Sequence, residues 1–248
     1  RTQIGLQGES GFEPPATDAS GIVLPNFQGL LTKTSPLNLT AQPAQAEAVL
    51  EAAGFVKHSN GYFYSKAGQE VKFTIIEPSA YTDYAADATL IAAQLQKAGI
   101  DCTFDGLTPN AWNNDLATGD FDIAIHWGYS GVSAYGLYNQ WLSSSLATGA
   151  NAKTASGDYE RLANATIDND LATLSGASSV AQQKADLVPI INFMEQDVPV
   201  IPVVYGAAFD EYNSGAFTGW PSAANPYESG SPNTPTNIVV VLHLKPKS

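Results

Sequence analysis

Residues 71–104 read VKFTIIEPSAYTDYAADATLIAAQLQKAGIDCTF, and two changes of hydrophobic period inside this stretch decide the fold. Val71 to Ile76 is apolar and β-branched, the composition of a strand. Tyr84 to Ala98 carries helical spacing and runs into Gly99, a C-terminal stop; Ile100 to Phe104 then resumes the strand pattern. Strand, helix and strand in immediate succession predict a crossover unit with parallel strands. Downstream the alternation continues, with a short helix over 110–118, a third strand over 121–127 (FDIAIHW) and a helix over 135–144. The order βαβαβ makes this an α/β chain, its sheet mainly parallel and flanked by helices.

Outward from that unit the pattern is helical on both sides. Residues 43–54 (PAQAEAVLEAAG) form a helix with proline in the first turn, Thr40 or Gln42 near its start and glycine at its end. Between this helix and the first strand, Asn60-Gly61 flanked by Phe55-Val56 and Tyr62-Phe63-Tyr64 predicts a hairpin with a type I′ turn. Toward the C-terminus two long helices are expected, over 159–174 and 180–196. The second carries Leu187, Val188, Ile190, Ile191 and Met194 on its apolar face and stops at Asp197-Val198-Pro199. Val200 to Tyr205 reads as a strand, and its proline Pro202, just after Pro199, places it at a sheet edge. From Asn213 the texture turns to Gly, Pro, Ser and Asn until Ile238 to Leu244, a final apolar run expected as a strand returning to another lobe. Residues 1–40 lack periodicity and are expected to lie extended over the lobe. The implied division is a leading segment 1–40, an α/β lobe 41–212 and a return or hinge segment 213–248.

Composition narrows the function classes. Eleven basic against 24 acidic residues give a formal charge of −13, which repels phosphate backbones and anionic membrane surfaces, so no nucleic-acid partner is expected. No apolar run reaches the roughly 18 residues of a membrane span. With only 14% charged residues, much of the surface must be neutral and polar, as in secreted or cell-surface proteins. Cys102 is the single cysteine, so no internal disulfide exists, and its neighbours Ile100 and Phe104 predict a buried strand position. The opening Arg1-Thr2-Gln3-Ile4 reads as the inside of a helix or loop, and a fragment of a longer protein is expected.

Chemistry-bearing constellations are sparse. His58, His126 and His243 have no metal-ligand spacing and none lies beside the cysteine, so neither metal nor cofactor is expected. There is no Gly-x-Ser-x-Gly elbow, no P-loop and no dinucleotide fingerprint. Asp120 and Asp122 alternate on a strand and point to opposite faces, unlike the two carboxylates that flank one glycosidic bond. Aromatic and amide groups are plentiful instead. The strand 121–127 runs into Trp127-Gly128-Tyr129-Ser130-Gly131 at a carboxyl end, where open α/β sheets bind ligands. Ring faces stack on the C–H faces of sugars, and Asn, Ser and backbone groups bond the hydroxyls. Trp127, Tyr129, Ser130, Tyr135, Trp220 and Asn225 are the candidate contacts, while Trp112 and Trp141, inside expected helices, are assigned to core. A glycoside-active enzyme is a third, weaker reading beside two kinds of binding protein.

Four segments in consecutive order, AQAEAVLEAAGF from Ala44, the strand and helix ending in AAQLQKAGI, ATGDFDIAIHWG and EQDVPVIPVVY, resemble the family 5 solute-binding proteins of ABC transporters. The resemblance implies a lobe of the type II periplasmic-binding-protein fold, about half of a two-lobed receptor that closes around its ligand and delivers it to a membrane permease. It implies no enzymatic activity, a monomer, and an extracytoplasmic place, in a periplasm or lipid-anchored at the outer face of the cell membrane. Peptide-binding members place an aspartate in the loop after the strand that ends here at Trp127; Gly128 to Tyr135 contains no carboxylate, which argues against a peptide ammonium. An oligopeptide receptor would need Asp210 or Glu211 in that role. Residues 217–227 (FTGWPSAANPY), with Glu13-Pro14-Pro15-Ala16 and Tyr205-Gly206-Ala207, are similar to the cello-oligosaccharide-binding branch. The ligand so implied is an oligosaccharide of the cellobiose or β-glucoside type.

Overall fold

The computed structural model describes residues 1–22, 28–128, 133–147, 154–206, 211–222, 224–225, 227–228 and 237–247. The chain divides into two compact units, a larger one of residues 1–129 and 133–205 and a smaller one of 130–132 and 206–248.

The larger unit is built on the expected parallel sheet. β1 (Val56–Lys57) and β2 (Phe63–Tyr64) follow helix α1 (Pro43–Ala52) as an antiparallel hairpin. Then come β3 (Lys72–Pro78), α2 (Thr82–Lys97), β4 (Asp101–Leu107), α3 (Pro109–Thr118) and β5 (Ile123–Ala124). The strand order is β4-β3-β5, with β3 parallel to both neighbours and Ile75 opposite Phe104 on one side and Ile123 on the other. Alternation along β3 divides the core between the two faces. Ile75 packs with Cys102 against Ala88 and Ala92 of α2, while Ile76 packs with Trp112 and Leu116 of α3 on the opposite face. A strand buried on both faces has to be apolar at successive positions, which is why its central residues are consecutive isoleucines. Cys102 is buried, as its place in the strand pattern predicted.

A third core is mainly helical. α4 (Ala134–Leu142), α5 (Ser144–Ala147), α6 (Ala165–Ser175) and α7 (Val180–Asp197) follow the sheet. Tyr138, Leu142, Leu171, Leu187, Ile190 and Met194 interlock there with Ile22 from the leading segment. Residues 1–22, expected as extended chain, open with a π-helical turn, Ile4–Gly8. Ala16 N–H donates to Val203 O and Tyr205 N–H to Pro14 O, so residues 13–16 (EPPA) and 201–205 (IPVVY) are neighbours.

Several local expectations are corrected. The hairpin loop is not type I′: Gly61 has φ 89° but Asn60 stays at negative φ. His58 N–H donates to Tyr62 O and Gly61 N–H to His58 O, a three-residue loop with a left-handed glycine. The helix expected from Tyr159 begins at Ala165, because Asp158, Arg161 and Ala163 adopt φ of 43°, 55° and 47° and Asn164 then caps the Thr166 and Ile167 amides. Residues 200–205 form only an isolated bridge, Val204 to Pro15, since prolines 199 and 202 withhold ladder donors.

In the smaller unit, β6 (Phe217–Thr218) pairs antiparallel with β7 (Lys245–Pro246). The run 238–244, expected as a strand, is largely helical: α8 spans Asn237–His243. A seven-residue strand needs a partner to satisfy its backbone, and among the described residues of this unit the ladder is the two-residue pairing of β6 with β7; a helix satisfies its own. Among the described residues no helix is long and apolar enough to cross a membrane.

Candidate functional site

At the carboxyl ends of the three parallel strands, the chain leaves each strand and places an aromatic ring on the same edge. After β3, Ser79 N–H still donates to Leu107 O, and Tyr81 N–H donates to Pro78 O to become the N-cap residue of α2. After β4, the Thr108 hydroxyl accepts from Ala111 N–H and Pro109 opens α3, which sets Trp112 in the first turn. After β5, Ile125, His126 and Trp127 leave the ladder, so the strand is two residues long rather than seven.

The rings meet. His126 stacks on Trp112 with centroids 5.4 Å apart and planes 14° apart, and on Trp127 at 4.5 Å and 30°. Trp112 and Trp127 are 5.4 Å apart; Tyr81 lies 6.4 Å from both, edge-on to Trp112 and tilted to Trp127. Tyr159, from the left-handed loop before α6, closes on His126 at 5.0 Å. His126 Nδ1 sits 2.5 Å from the Trp127 carbonyl, and burial pushes its imidazole below the ordinary value against the opposing pull of that bond. At neutral pH His126 is therefore an uncharged ring whose Nδ1–H donates to Trp127 O. Trp112 is fully buried and its indole N–H has no partner among the described residues, whereas Trp127 is 44% exposed. Exposed on one face and ring-packed on the other, Trp127 is a fixed, neutral shelf.

Of the expected contacts, Trp127 occupies this edge. Tyr135 is half-buried on α4 against the helical core, its hydroxyl donating to Asn139 Oδ1 at 3.1 Å. Tyr129 and Ser130 lie outside the described residues, as does Asp210. Gly128 passes close over α4: a Cβ there would lie 3.0 Å from Trp141 and 3.4 Å from Leu137. On the smaller unit, Trp220 stacks on Tyr212 at 4.8 Å and 14°, and its buried indole N–H has no partner among the described residues. Asn225 is exposed there and exchanges backbone bonds with Ser222, while Tyr227 OH donates to Gly219 O at 2.6 Å. Trp112 is core, as assigned, and Trp141 packs partly buried against the helical core. Tyr81, His126 and Tyr159 belong to the ring cluster although their sequence context did not single them out as contacts. Tyr81, three residues past a strand end, was within reach of the same carboxyl-edge rule that found Trp127.

Other chemistry on this unit is limited. An open cavity of about 380 Å³ beside the sheet is lined by Asp105, Asp115, Asp120 and Asp122 together with Thr74 and Phe121. Asp122 is engaged as acceptor of Thr74 N–H at 2.9 Å, and no three His, Cys, Asp or Glu among the described residues are placed to hold a metal.

Residues 8–149 match the model of the bacterial extracellular solute-binding proteins, family 5, middle region. Among solved structures, the chain is similar to a mannohexaose-bound periplasmic oligopeptide-binding protein of Thermotoga maritima, at 22% identity and a TM-score of 0.82 over 99% of this chain and 47% of that one. It is similar also to the oligopeptide-binding protein AppA of Bacillus subtilis in complex with a nonapeptide, at 16% identity and TM-score 0.68 over 100% and 45%. NikZ of Campylobacter jejuni in complex with Ni(L-His) matches at 16% and 0.65 over 81% and 38%. These likenesses establish the fold, that of the periplasmic binding proteins, and the chain spans about half the length of the structures it matches. No curated protein matches it in sequence.

Proposed function

The chain belongs to the bacterial extracellular solute-binding proteins of family 5, and from that membership we propose that it is the ligand-binding part of an extracytoplasmic receptor that captures an oligosaccharide for an ABC importer and performs no chemistry on it. The observation that carries the ligand class is the shelf at the carboxyl edge: Trp127, 44% exposed, is backed by Trp112, Tyr81 and an uncharged His126. A flat neutral ring suits the C–H face of a pyranose, and the five rings of this cluster include no carboxylate to neutralise an ammonium. Tyr129, Ser130 and Tyr135 and, on the smaller unit, Trp220 and Asn225 are assigned further ring and hydroxyl contacts. Among glycans the reading favours β-linked glucosides of the cellobiose type, on the likeness of residues 217–227 to that branch. The similar Thermotoga protein holds mannohexaose, which keeps manno-oligosaccharides in the panel. The receptor works as a monomer, free in a periplasm or lipid-anchored, with residues 213–248 returning toward a second lobe and a membrane permease as its partner.

Isothermal calorimetry tests this with cello-, xylo- and manno-oligosaccharides beside di- to pentapeptides, on the protein extended to the full length of its similar structures. One glycan series binding while peptides stay silent is the expected result. Peptide binding with no glycan response would overturn the ligand class and make Glu211 and Asp210 the residues to replace.

A further inference from the structure

Away from the ring cluster, the turn Ile4–Gly8 and the residue that ends it, Glu9, pack on α2 through a contact made of acids. Asp87 on α2 is 2% exposed and Glu9 is 6% exposed, and one oxygen of each, Asp87 Oδ1 and Glu9 Oε1, has no separate hydrogen-bond donor among the described residues. Their carboxyl groups meet each other in a side-chain hydrogen bond. Glu77 at the end of β3 is fully buried, and neither oxygen has a partner among the described residues. A Cβ added at Gly8 would collide with Asp87 Oδ1, so the turn's backbone lies directly on that carboxyl.

The groups that act on the pair are acids or a phenol: Glu13 from the leading segment and Asp83 and Tyr84 from α2, with Glu77 from β3 acting in turn on Tyr84. Among the described residues no lysine, arginine or histidine side chain forms an ion pair with either carboxyl. Two ionised carboxylates cannot share a buried contact, so a proton must lie between them. We propose that the Ile4–Gly8 turn is clasped onto α2 by a single proton shared between Asp87 and Glu9, a clasp that tightens in acid and loosens as the proton is withdrawn.

The shared proton rests on Asp87, which donates to Glu9. Burial first, and then the bond to Glu9, push Asp87 up to about 8, and burial pushes Glu77 to about 8 as well. With the turn lifted away, Asp87 returns toward its ordinary value near 4. The closed state therefore holds a proton that the open state has lost throughout pH 4 to 8. The clasp is fully present below about pH 4 and weakens by about tenfold in the opening constant per pH unit up to about pH 8, where it levels off.

Amide exchange on the 248-residue chain reads this directly. The reporters are Gly5 N–H, bonded to Arg1 O, Glu9 N–H, bonded to Ile4 O, and Gly11 N–H, bonded to Gly5 O. Corrected for intrinsic exchange, their protection is expected to fall about tenfold per pH unit between pH 5 and 8. Amides of α7 should keep a constant protection over the same range. Asp87→Asn and, independently, Glu9→Gln replace the shared proton by a carboxamide hydrogen and should abolish the slope; should one variant fail to fold, the other decides. A flat profile in the native chain, a slope that both foldable variants retain, or a slope shared equally by α7 would each overturn the clasp.

Discussion

Trp127 and Gly21 show how differently a single side chain can matter in this unit. Trp127 is exposed over much of its surface and contributes to the ring cluster from outside, so removing it should disturb a ligand more than the fold. Trp127→Ala is expected to weaken glycan binding at least tenfold, about 1.4 kcal/mol or more, while the melting temperature moves by only a degree or two. Calorimetry with the glycan that binds, beside a thermal melt, checks both halves; unchanged affinity would remove Trp127 from the contacts. Gly21 is the opposite case. It sits at φ 70°, and a Cβ would lie 2.7 Å from Trp141 Cζ3, 2.9 Å from Cη2 and 3.2 Å from Pro202 Cγ. Gly21→Ala combines left-handed strain with overpacking of a ring against a proline, roughly 2–4 kcal/mol in all. A melting temperature lowered by less than about 3 °C would mean that Trp141 yields more easily than its packing implies.

At the scale of elements, capping decides where helices begin, and this is where sequence reading and structure part company. The helix expected from Tyr159 was legible in its apolar repeat, Ile167, Leu171 and Leu174, all of which are buried. Its start was not, because Asp158, Arg161 and Ala163 take left-handed conformations that no periodicity announces. Arg161 is held there by what it reaches: its guanidinium donates to Ala117 O at 2.7 Å and to Tyr159 O at 2.8 Å, satisfying a carbonyl at the end of α3. Asn164 then accepts from Thr166 and Ile167 amides at 3.0 and 3.3 Å. Asn164→Ala is expected to lower stability by about 1 kcal/mol through the lost cap, and Asn164→Asp by much less. Chemical denaturation of the three proteins measures it, and equal stability of Ala and Asn variants would show that Arg161 alone sets the helix start. The same limit explains α8. A β-branched run of Ile238 to Val241 reads as strand by propensity, but propensity yields where no long partner strand is at hand.

Over the whole molecule, legibility follows the range of the interactions involved. The parallel sheet was readable because each β3, β4 and β5 pattern is local and the crossover rule orders them. Trp127 was readable because it follows a strand in the chain, whereas the cluster around it joins residues 81, 112, 126, 127 and 159, brought together only by the sheet and the loop before α6. Net charge is the one global property with a direct bearing on the ligand. At −13 the chain surrounds itself with a negative potential that attracts cations and is screened over about 10 Å at 0.1 M salt. A peptide bound through its ammonium would draw on that field, and its affinity would fall severalfold as salt rises from 20 to 500 mM. A neutral glycan seated on the Trp127 shelf exchanges no net charge with the solvent. Its dissociation constant is expected to change by less than about twofold across the same range. It should also stay flat from pH 7 to 8, since burial lowers the His126 imidazole from its ordinary value and leaves it uncharged there. Calorimetry over a salt series at two pH values makes the distinction without knowledge of the ligand's exact linkage, and a steep salt slope would assign the site to a cation even if a glycan were also found to bind.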